Sequence, residues 1–340
     1  MAGKIDSFKK KVAGYTLEKP ERKPQQNYVS VLILRELQSA ARFTTDGTEA
    51  NSAIIRIGDI EETVGKLFGR KQVASDRRVA KALQRSLIQD KMNVTVKGTW
   101  DGCSMAVNKM CQRCPECALF GSAASEEGNN KISITSRVMY DEAYTIRSIG
   151  TIVEEYFQNA PGDDYAKGAT SAIREPDFFK EGTLFPCVVT LKDVTPEEVL
   201  FFLNITDRNV RYGATGTRFG KTRNHILGVY ASHREGPSSL EVTRGIVVAL
   251  ANAAAASDED SSDPAERLRK VMTADTLPVE SVARAAIQVY EDLADRQRIA
   301  YVKFDADEVS AILDEMKDDA VVKAILESQV DKIADYISAD

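Results

Sequence analysis

Residues 182–231 read GTLFPCVVTLKDVTPEEVLFFLNITDRNVRYGATGTRFGKTRNHILGVYA, and their pattern predicts the central elements of the fold. It opens with a β-branched run that predicts a buried strand. The letters TPEE then predict the start of a helix, with Thr195 as the N-cap and Glu198 closing a capping box. A glycine-rich basic loop at 211–221 leads into a second short strand at 225–231. Strand, helix, loop and strand in this order form one half of a ferredoxin-like core.

The rest of the chain predicts an α+β fold around this half. β-branched or alternating runs predict strands at 28–34, 53–57 and 92–97, and alternation returns within 131–147. A helix is predicted over 75–89, because apolar residues recur there at every fourth position and therefore share one face.

Charge is distributed unevenly along the chain. Its 340 residues carry 45 basic and 51 acidic side chains, a net charge of −6. Residues 241–340 hold 11 basic and 22 acidic residues, a net of −11, so residues 1–240 hold 34 and 29, a net of +5. From residue 238 onward alanine becomes frequent and β-type alternation ends, which predicts an acidic, helical C-terminal segment. A basic body beside an acidic tail is typical of proteins that bind polyanions.

The composition excludes several classes of protein. Apolar residues make up 43% and charged residues 28%, which is ordinary for a folded globular chain and unlike collagen or a disordered protein. No apolar run approaches the ~18 residues that a membrane span needs. The N-terminal residues lead into lysines without an apolar stretch, so no secretory signal is predicted. The expected location is therefore the cytoplasm.

Four of the five cysteines, Cys103, Cys111, Cys114 and Cys117, lie within 15 residues, and only Cys187 stands apart. This number of cysteines does not make a disulfide framework. Two overlapping C-x2-C steps with a fourth cysteine nearby can supply the four thiolates that structural zinc prefers. An iron–sulfur cluster with Cys187 as a distant ligand, and a set of reduced thiols without metal, both stay open. Zinc is the favoured metal. Its expected role is structural, because a catalytic zinc site usually includes a histidine and the two histidines lie far away in sequence.

The segment 208–223 reads RNVRYGATGTRFGKTR and contains five cations and no acid. Glycines let the backbone approach a ligand, its amides can form an anion nest, and Tyr212 and Phe219 offer faces on which bases can stack. This combination indicates binding of single-stranded nucleic acid, whereas in a plain surface loop the five unbalanced cations would repel one another. The GKT ending resembles a P-loop, but Thr215 stands where the first glycine is needed and the loop runs from helix into strand. Nucleotide hydrolysis is therefore not predicted.

These features together resemble the repeat-associated (RAMP) superfamily of CRISPR proteins. A strand with G-T-x-F, a helix with a T-x-E-E start and a glycine-rich loop into a last strand are similar to the C-terminal half of its core. The run CQRCPECALFG resembles a segment of its backbone subunits. The runs SRVMYDEAYTIR and RYGATGTRFGKTRN most resemble the Csc-type backbone subunit of the type I-D CRISPR Cascade. The resemblance covers roughly residues 27–250.

The resemblance implies an RRM-like palm that carries a zinc-binding insertion, a lid and a helical subdomain. The implied boundaries are an N-terminal segment at 1–26, the palm at 27–98 and 183–237, the zinc-binding insertion at 99–125, the thumb or lid region at 126–182, and the helical subdomain at 238–340. In this family, copies of the subunit stack into a helical filament along guide crRNA and hold its backbone. The guide then pairs with target DNA in antiviral defence. The implied partners are crRNA, target DNA through the guide, further copies of the chain and other Cascade subunits, with no membrane.

The resemblance also implies which side chains contact the guide. Candidates from the glycine-rich loop are Arg208, Arg211, Gly213, Gly216, Arg218, Gly220, Lys221 and Arg223. Further candidates are Arg35 and Arg56 on the early strands, and Tyr140 and Arg147 in the thumb or lid region.

One departure from the family bears on catalysis. RNA-cleaving relatives carry an aspartate just before an N-P-V-x-R run, whereas here the comparable run at 51–56 follows Ala50. We therefore expect no nuclease activity, with Asp46 and Glu49 as the nearest substitutes for the missing acid. Two alternatives remain open. One is a metal-dependent endoribonuclease of the same superfamily that uses Asp46 or His225, and the other is a zinc-stabilised protein-interaction module that binds no nucleic acid.

Overall fold

The computed structural model describes residues 3–45, 47–88, 103–106, 109–123, 133–155, 157–158, 173–174, 177–213, 219–255 and 263–338. Its helices are α1 (Lys4–Val12), α2 (Gly69–Ile88), α3 (Pro115–Phe120), α4 (Ile149–Ile152), α5 (Pro196–Arg208), α6 (Ser239–Ala255), α7 (Pro264–Met272), α8 (Val279–Arg296), α9 (Ala306–Glu315) and α10 (Asp319–Ser338). Its strands are β1 (Tyr28–Leu37), β2 (Ser52–Ile57), β3 (Ile60–Leu67), β4 (Val138–Tyr140), β5 (Ala143–Ser148), β6 (Val153–Glu154), β7 (Phe157–Gln158), β8 (Ile173–Arg174), β9 (Phe178–Phe179), β10 (Leu184–Lys192), β11 (Thr222–Ser232) and β12 (Tyr301–Asp305).

A five-stranded antiparallel sheet forms the centre of this mixed α/β fold, in the order β12–β11–β1–β10–β4. β1 lies in the middle and pairs with both neighbours, so that Val31 is opposite Val189 on one side and Val229 on the other. These strands are rich in β-branched residues, which pack well on a pleated, buried surface. A smaller sheet in the order β2–β3–β5 also carries one of the early predicted strands.

Alternation along β1 divides the core into two layers. Val31 and Ile33 point to the face covered by α2, α5 and α10, and Leu32 and Leu34 point to the face covered by α6 and α8. Both layers are closely packed with apolar side chains that are almost completely buried. None of the helices in the described ranges is both long and apolar enough to cross a membrane.

Residues 182–231 fold as predicted, with β10, α5 and β11 in this order. The amide of Glu198 donates to Thr195 Oγ1 at 3.2 Å, and the amide of Thr195 donates to the Glu198 carboxylate at 2.9 Å. This reciprocal capping box fixes where the helix begins. β1, β2 and α2 confirm the two early strands and the first helix, although α2 begins earlier than predicted, at Gly69. The strand predicted at 92–97 lies outside the described residues.

The C-terminal part of the chain is not helical throughout, which corrects the prediction that strands end at residue 238. β12 pairs with β11 at the edge of the central sheet and places Phe304 opposite Val229. α10 then returns to pack against α2 and α5. β12 has five residues between two helices, so its pairing with β11 rather than its own pattern makes it a strand. The domain boundaries stay predictions.

Candidate nucleic-acid interface and cysteine cluster

The described ends of the glycine-rich loop, residues 211–213 and 219–221, lie between α5 and β11 and are hydrogen-bonded to each other; these paired ends are called the hairpin. The amide of Tyr212 donates to the carbonyl of Gly220 at 2.9 Å. The amide of Gly220 donates to the carbonyl of Ala40 at 2.8 Å, which ties the hairpin to the segment after β1. Gly216 and Arg218, two of the predicted RNA-binding residues, lie outside the described residues.

The two described glycines of the hairpin are required by its close backbone packing. Gly220 has φ +78°, and a Cβ atom placed on it would lie 1.9 Å from the carbonyl oxygen of Tyr212. Gly213 has φ +105°, and its Cβ would lie 3.3 Å from the carbonyl oxygen of Arg42. These glycines therefore let one backbone segment approach another, which is a different role from the approach to a ligand that the sequence suggested.

Three of the predicted cations extend from this hairpin toward solvent. Arg211, Lys221 and Arg223 are exposed, and none of them forms an ion pair with another described residue. The Arg211 guanidinium stays exposed while one of its N–H groups donates to the carbonyl of Phe219 at 2.7 Å. Cations without a counter-charge create the positive potential that attracts a phosphate backbone.

Three further cations belong to segments that contact the hairpin and were not assigned to RNA from the sequence. Arg42 belongs to the segment that passes the hairpin, and Lys71 donates to the backbone of the same segment at 2.6 Å. Exposed Arg78 lies one helical turn after Ser75, whose hydroxyl donates to the carbonyl of Arg211 at 2.5 Å. In sequence, the cations of α2 resemble an ordinary solvated helix face. Only the packing of α2 against the hairpin indicates that some of them could contact a ligand bound there.

Arg35 does not reach solvent, which corrects its prediction as an RNA contact. It lies on the face of β1 that α2 covers, and its side chain is fully buried. Its guanidinium donates to Asn224 Oδ1 at 2.7 Å and to Gln72 Oε1 at 3.2 Å, and it lies 3.9 Å from the buried carboxylate of Asp76. Arg35 is therefore a core residue with buried polar neighbours, and its Nη2 has no hydrogen-bond partner among the described residues.

The aromatic candidates are also engaged inside the protein. The hydroxyls of Tyr212 and Tyr140 donate to the two oxygens of Asp76 at 2.8 Å and 2.7 Å. Burial raises the pKa of both phenols, which keeps them protonated as donors. Tyr212 is 1% exposed and therefore offers no stacking face, while Phe219 packs on Phe178 with ring centroids 4.5 Å apart.

The remaining predicted contacts have partners within the chain. Arg147 is buried and donates to the backbone carbonyl of Asp275 between α7 and α8, which corrects its placement on an RNA-binding surface. Arg208 is exposed and pairs with Asp319 at 2.7 Å, where α10 begins. Arg56 is exposed on β2 and lies 3.7 Å from a carboxylate across the turn to β3.

The four clustered cysteines, Cys103, Cys111, Cys114 and Cys117, converge in one buried site. Their sulfur atoms all lie within 4.8 Å of one another, with Cys103 and Cys117 at 3.2 Å and Cys103 and Cys114 at 4.0 Å. A tetrahedron of Zn–S bonds of about 2.3 Å has S···S edges of about 3.8 Å. The donor set and the spacing therefore fit a four-thiolate metal site.

Helix α2 and Glu116 on α3 surround this site with charged and polar groups. Lys81 is 3% exposed, and its ammonium lies 3.4 Å from the sulfur of Cys117 and also pairs with the buried Glu116. Gln84 donates to the sulfur of Cys114 at 3.2 Å. Four thiolates around a divalent cation leave a net negative charge, which Lys81 partly offsets. Sequence reasoning missed Lys81 and Gln84, whose only signal is that they share one face of α2.

The four thiols of the cluster differ in pKa: the pKa of Cys103 and Cys114 is lowered, whereas hydrogen bonds within the cluster raise the pKa of Cys111 and Cys117. Burial by itself would raise the pKa of Cys114, yet hydrogen bonds from neighbouring thiols and the charge of Lys81 lower it to about 6. Hydrogen bonds from the other three thiols and the charge of Lys81 also lower the pKa of Cys103. Burial alone would lower the pKa of Lys81, but Cys114 and Glu116 beside it raise that pKa and keep the ammonium charged. Thiolate is the form of cysteine that binds a metal.

Ala50 lies in a loop that is held by hydrogen bonds to Asp177. Ala50 is buried, and its amide donates to the carboxylate of Asp177 at 2.8 Å. The amide of Asp177 donates back to the carbonyl of Thr48 at 2.8 Å. Glu49 is exposed in the same loop, and Asp46 lies outside the described residues. Asp177, which the sequence did not single out, therefore holds the loop in place.

Comparison with known proteins identifies the family. The profile of the Csc2 CRISPR family, described as "Csc2 Crispr", matches residues 15–331. The crystal structure of Thermofilum pendens Csc2 is similar over 95% of this chain and 94% of that one, with 18% identity and a TM-score of 0.59. A chain described as "CRISPR RNA-guided surveillance complex, pre-nicking" matches 87% of this chain and 99% of its own length, with 12% identity and a TM-score of 0.50. No curated protein matches significantly. The chain belongs to the Csc2 CRISPR family.

Proposed function

We propose that this protein is a backbone subunit of a type I-D CRISPR Cascade that holds guide crRNA by its phosphates. The observation that carries the proposal is a set of three exposed cations at the base of the glycine-rich hairpin, Arg211, Lys221 and Arg223, which form no ion pair with another described residue. Exposed Arg42, whose carbonyl oxygen lies beside Gly213, adds a further cation next to the hairpin. Membership of the Csc2 CRISPR family supports the CRISPR context.

The order of the central strands supports an RRM-like palm. Without its edge strand, the sheet consists of β1, β4, β10 and β11, with α2 between the first two and α5 between the last two. This is a β-α-β-β-α-β connection, and the order β11–β1–β10–β4 is the antiparallel arrangement of ferredoxin-like folds. The cysteine segment then lies inside the first βαβ unit, between α2 and β4, and most of the lid region lies between β4 and β10, where the two units join.

In the proposed complex the cations contact phosphates and leave the base edges of the guide free. Target DNA is then read by pairing with the guide, and the protein supplies no sequence specificity of its own. Copies of the chain stack along one guide as a helical filament, and other Cascade subunits complete the particle.

The four-cysteine site is proposed to hold structural zinc. Its support is the buried convergence of four sulfurs and the cationic and amide groups of α2 around them. A bound zinc would link the cysteine segment to α3 and α2, where few apolar side chains are available to form a separate core.

We propose no catalytic role, because Ala50 stands where RNA-cleaving relatives carry an acid. One observation favours the endoribonuclease alternative. His225 Nε2 lies 2.8 Å from the Glu36 carboxylate, and Arg223 lies two residues before His225 on β11. Incubating the assembled particle with RNA complementary to the guide and Mg²⁺ decides between the two. Regularly spaced cuts that vanish in His225→Ala or Asp46→Ala would establish the alternative, and intact RNA would exclude it.

The proposal is tested by the RNA that purifies with the protein. Wild-type protein from cells that supply the guide should carry RNA of uniform length, seen as excess absorbance at 260 nm. The triple variant R211A/K221A/R223A should lose it. A matched control, R284A/R296A/K323A, removes the same charge from exposed positions on α8 and α10 and should retain it. RNA retained by the hairpin variant, or absent equally from both variants, would contradict the proposal.

A further inference from the structure

A buried ion pair lies beneath the hairpin, and neither of its members faces solvent. Arg35 and Asp76 are both 0% exposed, and Arg35 Nη2 lies 3.9 Å from Asp76 Oδ2. Burying two charges costs desolvation free energy that their attraction often fails to recover, so apolar residues of similar shape would serve stability as well. A pair kept in such a place therefore calls for an explanation other than stability.

The carboxylate of Asp76 holds the chain that enters the hairpin. Asp76 Oδ1 accepts from Asn209 Nδ2 at 2.6 Å and from the hydroxyl of Tyr212 at 2.8 Å. The neighbouring Ser75 donates to the carbonyl of Arg211 at 2.5 Å. Three hydrogen bonds thus connect one turn of α2 to the segment between α5 and the hairpin.

The guanidinium of Arg35 holds the chain that leaves the hairpin. Arg35 Nη1 donates to Asn224 Oδ1 at 2.7 Å, two residues after the start of β11. Asn224 in turn donates through Nδ2 to the carbonyl of Asn209 at 2.7 Å. Both ends of the hairpin therefore meet one ion pair, which lies between β1 and α2.

We propose that Arg35 and Asp76 are positioning residues for guide binding, which set the two ends of the hairpin so that Arg211 and Lys221 project toward the same stretch of RNA. This inference rests on the proposed function. It assigns Arg35 an indirect role, because its side chain acts through Asn224 and Asp76 and touches no RNA.

A second buried ion pair provides a matched control. Arg137 is 8% exposed and donates to the carboxylate of Glu198, which is 1% exposed. Glu198 lies at the start of α5 and the hairpin follows its end at Arg208, so about 15 Å of helix separates them. Asp76→Asn and Glu198→Gln thus remove one carboxylate charge from comparably buried pairs, one beneath the hairpin and one remote from it.

The experiment compares these variants in chemical unfolding, in binding of single-stranded RNA at several salt concentrations, and in amide hydrogen exchange. Both variants should lose stability. Only D76N should lower RNA affinity about tenfold, reduce the salt slope by about 0.7 for every phosphate that is no longer neutralised, and speed exchange at the amides of Tyr212 and Gly220. Unchanged affinity, slope and exchange in D76N would overturn the inference, as would equal changes in E198Q.

If D76N does not fold, a variant that removes one hydroxyl and no buried charge tests the inference instead. Tyr212→Phe removes the hydroxyl that reaches Asp76 and leaves the ion pair intact. It should speed exchange at Gly220 and weaken RNA binding two- to fivefold, and wild-type behaviour would count against the inference. If the wild-type chain binds no RNA, the proposed function fails, while faster exchange in D76N but not in E198Q still supports the positioning of the hairpin.

Discussion

Gly220→Ala tests the close backbone packing of the hairpin. The residue has φ +78°, a conformation that costs an L-residue about 1–2 kcal/mol. The added Cβ would lie 1.9 Å from the Tyr212 carbonyl oxygen, so the backbone must move by more than an ångström. That movement breaks the Tyr212–Gly220 and Gly220–Ala40 hydrogen bonds, worth about 1 kcal/mol each. The expected loss in the free energy of unfolding is therefore about 3–4 kcal/mol.

Gly182→Ala is the matched control for this prediction. Gly182 has a similar φ of +72°, and nothing lies within 4 Å of its added Cβ. Its free energy of unfolding should fall only by the cost of placing an L-residue at positive φ, about 1–2 kcal/mol. Chemical denaturation of both variants gives the difference, and binding of single-stranded RNA should weaken only in G220A because the hairpin ends separate. Equal stability of the two variants would refute the argument from backbone approach.

Three further predictions concern the metal site and the helix cap. Elemental analysis should find about one zinc per chain in the wild type. The variant Cys117→Ala should lose the zinc. The control Cys187→Ala should keep it, because Cys187 is a buried cysteine outside the cluster. Metal in both variants would contradict the assignment. Lys81→Met should weaken metal binding about tenfold to a hundredfold in competition with a chelator, because it removes the ammonium beside the thiolates, and unchanged affinity would count against that role. Thr195→Ala should lower the free energy of unfolding by about 1 kcal/mol, because it removes the α5 cap. Thr273→Ala should lower it little, because the exposed hydroxyl of Thr273 donates only to a carbonyl of its own helix. Equal effects of the two substitutions would argue against the capping box.

The parts of the fold that the sequence predicts are those with local causes. The capping box at Thr195 specifies the start of α5 through contacts three residues apart. The β-branched runs predict β1 and β10 because burial on both faces leaves few polar residues in them. β12 depends instead on pairing with β11, a strand that ends at Ser232, far back along the chain, and its five residues carry no comparable local signal.

The candidate site shows the same division. Four closely spaced cysteines predict a shared site because short loops bring them together, and the structure confirms that they converge. Whether an individual cation is buried or exposed depends on which face of its strand or helix it occupies in the folded chain. Arg35 and Arg56 both lie on early strands, yet α2 covers the first and the second is exposed. Lys81 and Arg78 are three residues apart on α2, and one supports the cysteines while the other faces solvent.

The salt dependence of RNA binding reports how many phosphates the protein neutralises. If Arg211, Lys221 and Arg223 hold guide phosphates, each contact adds about 0.7 to the magnitude of the slope of log affinity against log salt for single strands. The wild type should therefore show a steep negative slope, and R211A/K221A/R223A should reduce its magnitude by about 2. A flat wild-type slope, or a slope that the triple variant leaves unchanged, would contradict the account.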